Sequence, residues 1–525
     1  MARFPLGVAS FDPLTDRVLI WTSVSGDGAC RWEVGTDPAV NVAVASGEVA
    51  AAADTGIVTV DVTGLEPGTT YWYRFTAGDD ASPVGRTRTL PGDGAERLRI
   101  GAACCARLGS SEFTVYGELA SADLDLVLHV GDYIYEDTKS SSEGREPDPL
   151  HDCVTLEDYR RRHAQARRDP HLQTLHARHP MVVIWDDHDL ADNAWRGGAQ
   201  THDEASQGPW ADRMAAALRA HHEHLPKRLA DPDDPSTAWR TLDAGNLVRF
   251  VCTETRAHRD KQAGLDGSLA ADDLDRTILG PVQREWITDV VADPRPRWLL
   301  VLSGTVVSPL VIDSPQALDG VLPEKYAVVD GHATNTDQWD GYLEDRRRLV
   351  MALSARRAGS IIISGDIHSS WAIEGPVDEA GQAVAVELVC PPSATTPVGQ
   401  LLPPGVGARL GPVITEEVPG VRWAEMDEQG FLTIELTNDE ARAAWWWVEA
   451  GRRGSAHVGR RWTIPVDTPP RLVDPEPPRD EKESLASPLS ALRSKRRRRI
   501  LAVVSALLTL VGTAAAALRT RRRRS

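Results

Sequence analysis

The sequence predicts an α+β and α/β chain: a β-sandwich first, a larger α/β domain next, and a single transmembrane helix at the C-terminus. Three observations predict this order. Residues 1–90 alternate β-forming runs with Gly, Asp and Pro; from Leu98 onward short, wholly apolar runs alternate with helical stretches; and the chain closes on an unbroken apolar run, Ile500–Leu518, bracketed by arginines. A chain of 525 residues is long enough for two or three domains.

In the N-terminal part, RVLIWTSV, CRWEVGT and GIVTVDVTGL read as strands, and GLEPGTTYWYRFTA reads as a turn entering an aromatic strand. That pattern, repeated over about 90 residues, suits a fibronectin/Ig-like sandwich. TLPGDGAER then reads as a linker.

In the second part, LRIGAACC, LDLVLHVGD, MVVIWDDHD, LVRFVCTE, RWLLVLSG and SIIISGDIHSS are apolar runs that break into polar residues. Their length and lack of alternation suit strands buried on both faces. TLEDYRRRHAQARR and DRMAAALRAHHEHL supply helices between them, and GFLTIELTNDEARAAWWWVEA reads as strand, turn and strand, with Trp445–Trp447 packing rather than binding. In such sheets, functional groups gather at the carboxyl ends of strands.

The expected divisions are a sandwich over 1–90, an α/β domain over 97–465, a Pro- and charge-rich linker over 466–499, a transmembrane helix over 500–518 and a basic tail over 519–525. The 19 residues Ile500–Leu518 would span roughly 28 Å as a helix, close to a bilayer core. MARFPLGVAS has no basic segment followed by an apolar run, so the expectation is a tail-anchored protein with a cytoplasmic body.

Net charge is −18, and because the eleven Arg and Lys from Arg493 onward face no acid, the rest carries −29. An acidic body disfavours nucleic acid as a specific partner and is compatible with cation binding. The six cysteines are scattered, with neither zinc-finger spacing nor the density of a disulfide framework.

Four predicted strand ends carry metal-donor residues. GAACCAR offers Cys105; VGDYIYED offers Asp132 and Tyr135; VIWDDHDLADN offers Asp186, Asp187, His188, Asp189, Asp192 and Asn193; IIISGDIHSS offers Asp366 and His368. Singly, each has an ordinary explanation, such as a helix cap or a packed histidine. Together they would crowd carboxylates that repel unless cations neutralise them. Tyrosinate and cysteinate donors favour an acidic transition metal such as ferric iron, and carboxylates suit calcium or magnesium; manganese or zinc would also find donors here.

The set GDxxY, WDDHD and GDxH resembles the metallophosphoesterase superfamily, in its purple-acid-phosphatase-like branch. With FPLGVASFDPLTDRVLIWTSV, LRIGAACCAR, GDYIYED and DQWDGY, the chain over roughly residues 4–465 resembles PhoD-like alkaline phosphatases and phosphodiesterases. The resemblance implies an α/β/β/α sandwich and a centre of Fe3+ and Ca2+. It implies that Cys105, Asp132, Tyr135 and His368 hold the iron, that Asp132 bridges to calcium, and that Asp187 and Asp366 help to bind calcium. It also implies that His188 contacts phosphate or protonates the leaving group, and that Asn193 lies in a loop making a polar phosphate or metal contact. Arg107, Arg256 and Arg259 are candidates for holding phosphate, and Trp339, Asp340 and Tyr342 are placed either at the mouth of the site or as a helix cap.

The sequence departs from the family pattern at FDP for GDP, at Cys104 for a small residue, at Asp189 for glutamate and at ADNA for a double asparagine, and the reading of MARFPLGVAS carries the expectation of no export leader, a further departure. The expected activity is hydrolysis of phosphoric mono- or diesters by a metal-activated water. The tail anchor adds lipid-linked or membrane-proximal esters to the expected substrates. The competing reading is a membrane-tethered binding protein with a degenerate phosphatase site.

Overall fold

The computed structural model describes residues 3–474, except 27, 140–144, 264–272, 311–326, 330–331, 357–358, 403–404, 406 and 468. Strand Leu126–Val130 shows how the architecture arises. Leu126, Leu128 and Val130 face one apolar layer and Val127 faces another, so every residue is buried. Trp298–Leu302 behaves the same way, with Trp298, Leu300 and Leu302 on one side and Leu299 and Val301 on the other. Strands apolar on both faces demand cover on both faces.

That cover makes four layers. A nine-stranded sheet runs His457–Pro465, Glu440–Trp447, Gly430–Thr437, Arg97–Ala103, Leu126–Val130, Met181–Ile184, Val8–Phe11, Arg17–Ser23 and Ile57–Thr63. A seven-stranded sheet runs Arg240–Ala244, Val248–Cys252, Trp298–Leu302, Gly359–Ser364, Val386–Val389, Ser370–Glu374 and Val421–Glu425. Their inner faces share one apolar core. Helices Thr114–Ser121, Leu156–Arg167, Pro170–Arg178 and Trp210–His224 cover the first sheet, and Gly280–Ala292 and Leu343–Ser354 cover the second. The central strands of each sheet are parallel. Trp445 is buried in the inner core and donates its indole N–H to the Val389 carbonyl at 3.1 Å, while Trp446 stacks on Phe431.

The N-terminal strands form a sandwich around Val18, Ile20, Val34, Tyr73 and Phe75, but one of its two sheets is not separate. Val8–Phe11 continues the large sheet through the pair Phe11 and Met181. The FDP departure lies at this junction. Asp12, at φ 41°, receives Arg240 Nε at 2.6 Å and Nη2 at 2.7 Å, and also the amide of Arg228 at 2.7 Å. Both partners of this pair are buried. Asp12→Ala would strand a buried guanidinium, so the stability measured by urea unfolding should fall by about 3–5 kcal/mol. A loss below about 1 kcal/mol would mean that water solvates Arg240.

The expected C-terminal transmembrane helix is corrected. No helix among the described residues is long and apolar enough to cross a membrane. The longest of these, Trp210–His224, has 15 residues, about 22 Å against a bilayer core of about 30 Å, and carries Arg213, His221 and His224 on its buried side. The run 500–518 lies outside the described residues. Membrane anchoring, and the lipid-linked substrates inferred from it, therefore lose their support.

Candidate metal centre

Cys105 follows strand Arg97–Ala103, Asp132 follows Leu126–Val130, Asp187 follows Met181–Ile184, and Asp366 and His368 follow Gly359–Ser364. The first three strands are neighbours in one sheet and the fourth lies in the other, so the packed strand ends deliver all five donors to one place. Three donor sets bring one ligand atom of each member within 4.8 Å: Cys105, Asp132 and His368; Asp132, Asp187 and His188; and Asp186, Asp187 and Asp366. Asp132 and Asp187 are shared between sets. Tyr135 closes the first, its Oη donating to Asp132 Oδ2 at 2.8 Å and lying 3.0 Å from His368 Nε2. Thr395 Oγ1 stands 3.1 Å from that phenol and donates to the Cys105 carbonyl at 2.8 Å.

The backbone is strained here. Cys105, Asp132, Asn193, Asp366 and His368 all have positive φ, between 46° and 66°. Non-glycine residues there cost about 1–3 kcal/mol each and persist only where the surroundings enforce them. Asp189 does part of the enforcing. Its carboxylate accepts the amides of Asp132 (2.9 Å), Tyr133 (3.1 Å), Ile134 (3.2 Å) and Asp186 (3.0 Å), tying two strand ends together. Gly131 is required between them, since a Cβ there would stand 2.5 Å from Asp186 Cβ.

The electrostatics suit cations. Burial, then the neighbouring Cys105, pushes the Asp132 carboxyl well above its ordinary range; burial and then Asp186 do the same to Asp366. Burial raises the Cys105 thiol, and burial with Asp132 raises the Tyr135 phenol. Burial, then His188, lowers His368 to about 3, leaving a neutral imidazole, the form that binds metals. Asp187 Oδ1 is buried with no hydrogen-bond partner. Anionic donors held this close are stable together only with positive charge among them. The residues present therefore fit metal ions.

His188 Nδ1 lies 2.7 Å from the buried carboxylate of Glu136, whose other oxygen takes the Asp192 amide at 2.9 Å. Against the cost of burial, Asp187 and Glu136 raise the His188 imidazole well above its ordinary value. Asn193 donates its amide to Asp187 Oδ2 at 2.7 Å and its side chain to Gln200. Arg107 is brought alongside, but its guanidinium is paired with Asp137 and lies 3.8 Å over the Tyr135 ring. Arg256 and Arg259 are fully buried and engaged by Asp186 and Asp337.

Trp339 and Tyr342 are buried, Trp339 reaching Ser303 Oγ and Tyr342 the Asp260 carbonyl. Asp340 caps no helix: it accepts the Leu310 amide at 3.1 Å and pairs with Arg346. Four supporting residues escaped the sequence reading: Glu136, Asp137, Gln338 (which donates to Asp366) and Thr395. Glu136 and Gln338 stand inside GDYIYED and DQWDGY, and that proximity was the available signal.

Residues 100–445 match the family described as PhoD-like phosphatase, and residues 1–91 match its N-terminal domain. The chain belongs to the PhoD-like phosphatase family. This PhoD-like chain is 33% identical over 411 residues to alkaline phosphatase D of Bacillus subtilis strain 168, an alignment covering 71% of the chain and 66% of that protein, just under two thirds of its length. A solved structure titled "Structure of PhoD" superposes with a TM-score of 0.77 at 28% identity, over 90% of this PhoD-like chain and 92% of that one.

Proposed function

We propose that the protein is a metal-dependent phosphoric ester hydrolase, with a sandwich over residues 1–90 and the catalytic part over 97–465. The observation that carries this reading is the shared carboxylate Asp132, which joins a set with Cys105, His368 and Tyr135 to a set with Asp187. Cys105, Asp132, Tyr135 and His368 would hold Fe3+; Asp132, Asp187 and Asp366 would hold Ca2+. Cations held there supply Lewis acidity toward the phosphoryl oxygens and toward water.

The chain's own residues do the rest. Asp132 and Asp187 fix where the ester's phosphorus must sit. Glu136 engages His188 Nδ1, which leaves Nε2 to hold a proton for the departing alkoxide. Asn193, fixed by Asp187 and Gln200, orients a phosphoryl oxygen. Arg107 supports the Tyr135 ring from its face and has its charge spent on Asp137. The tethered-binding-protein alternative loses its tether with the corrected helix, and no donor of the set is missing.

Protein loaded with iron and calcium should show a visible charge-transfer band and turn over both an aryl phosphate and an aryl phosphodiester, the ratio giving its preference. Tyr135→Phe should abolish or shift that band and weaken metal retention by at least about 10-fold. Colourless protein, inactive after both metals are added, would refute the assignment.

A further inference from the structure

Arg162 and Arg167 lie on one helix, Leu156–Arg167, and both are buried, but packing treats them differently. Arg162 donates to the carbonyls of Tyr135, Asp137, Asp148 and Pro149. Arg167 has Nε, Nη1 and Nη2 all buried, and among the described residues none of the three has a hydrogen-bond partner. The Trp21 ring covers the face of its guanidinium at 4.2 Å. Stacking engages that face and leaves the edge, with its five N–H groups, unanswered.

Neighbouring groups do not answer it. The Tyr133 phenol is near enough to favour the charge, but its hydroxyl meets His176 Nε2 at 2.8 Å, and one phenol oxygen could serve at most two of the five donors. The carboxylates of the flanking helices are engaged elsewhere: Asp169 takes the amides of His171 and Leu172 and pairs with Arg145, and Glu223 pairs with Arg160 and Arg219. Lys227, the other buried cation of this layer, meets His221 at 2.8 Å and lies over Trp185. His163, one turn before Arg167 on the same helix face, is buried with neither ring nitrogen bonded, and His176 Nδ1 is buried unbonded as well. The group therefore offers a permanent positive charge and imidazole N–H donors, and no negative charge. A buried ion left without a partner is among the costliest features a fold can carry.

We infer that Arg167 anchors a buried site for one small monovalent anion of the chloride class, with His163 and His176 as further donors. One fixed positive charge calls for one negative charge. Burial of every donor keeps out an ester substrate, and none of the metal donors belongs to the set. Such an anion binds the folded chain alone and stabilises it by mass action. The inference is independent of the metal-centre reading.

The test melts the full chain and R167M in sodium gluconate, sodium chloride and sodium bromide at one sodium concentration; methionine keeps an apolar stem against Trp21. For the parent, chloride and bromide should raise the melting temperature above that in gluconate, by roughly 1–3 °C for each tenfold increase once the site is mostly filled. General salt effects on burial run the other way, since weakly hydrated bromide is not excluded from protein surface as kosmotropic anions are. R167M should lose the gain. Crystals of the parent grown in bromide should show an anomalous peak at the guanidinium edge of Arg167. Ordered water there in place of bromide would overturn the inference, and so would a parent that shows no gain over gluconate. If R167M does not fold, the bromide peak in the parent decides by itself.

Discussion

Asp132→Asn is expected to empty both cation positions at once and to lower kcat/KM for a phosphoric ester by at least about 1,000-fold, roughly 4 kcal/mol of transition-state stabilisation. Asp132 is the member common to the Cys105–His368 set and the Asp187–His188 set, and it also accepts the Tyr135 phenol and, at 3.3 Å, the His188 amide. Asparagine tolerates the left-handed backbone at φ 56°, so the loop keeps its course and only the charge is removed. Elemental analysis, steady-state kinetics on an aryl ester and a circular-dichroism spectrum measure the three parts of this expectation. A variant that keeps one metal and works within tenfold of the parent would show that the carboxylate serves one position alone.

The second large effect is acid lability that originates away from the centre. Beneath the large sheet lie five buried histidines, His129, His163, His176, His221 and His224, with Lys227 and Arg167 beside them. Among the described residues, none of their hydrogen bonds is to a carboxylate: Tyr116 meets His129 at 2.7 Å, Tyr133 meets His176 at 2.8 Å, Lys227 meets His221 at 2.8 Å and the Ala220 carbonyl lies 2.9 Å from His224, while His163 stacks on His224. Burial lowers His129 to about 3 and His224 to about 4, and it holds His163, His176 and His221 well below their ordinary value, with nearby cations adding to the effect. Burial likewise pulls Lys227 down to about 7.

These imidazoles are neutral in the folded state and take up protons in the unfolded chain below about pH 6.5. The unfolded state therefore binds more protons, and stability falls as pH drops from about 6.5 toward about 4, by up to about 1.4 kcal/mol per pH unit for each group. Several such groups acting together would exhaust a stability of about 5–15 kcal/mol near pH 5. Tryptophan fluorescence followed against pH should show one cooperative transition there. His224→Phe, which keeps the stacking on His163, should move the midpoint to lower pH. An unmoved midpoint would trace the transition to protonation of the metal donors instead.

The donor set was legible because each member is marked locally. Cys105, Asp132, Asp187, Asp366 and His368 each end an apolar run, and such runs become parallel strands whose ends meet. Their supports were less legible. Asp189 binds amides 55 to 57 residues away, and Gln338 reaches Asp366 across 28 residues. A buried carboxylate reads the same in sequence whether it holds a metal, a backbone amide or an arginine. Arg256 illustrates this: its motif suggested phosphate, and packing turned it to Asp186.

By itself, then, the sequence determined the strands, the residue types at their ends and the family, because apolar periodicity and short motifs are local properties. Only the tertiary structure decided that the N-terminal strands extend the nine-stranded sheet and that Asp12 latches Arg240. It also decided that Asp186 belongs to an arginine while Asp187 Oδ1 is left open. The physical reason is common to all of these. A buried charge is committed to whichever partner the packed chain brings within about 3 Å, and no local pattern specifies that partner.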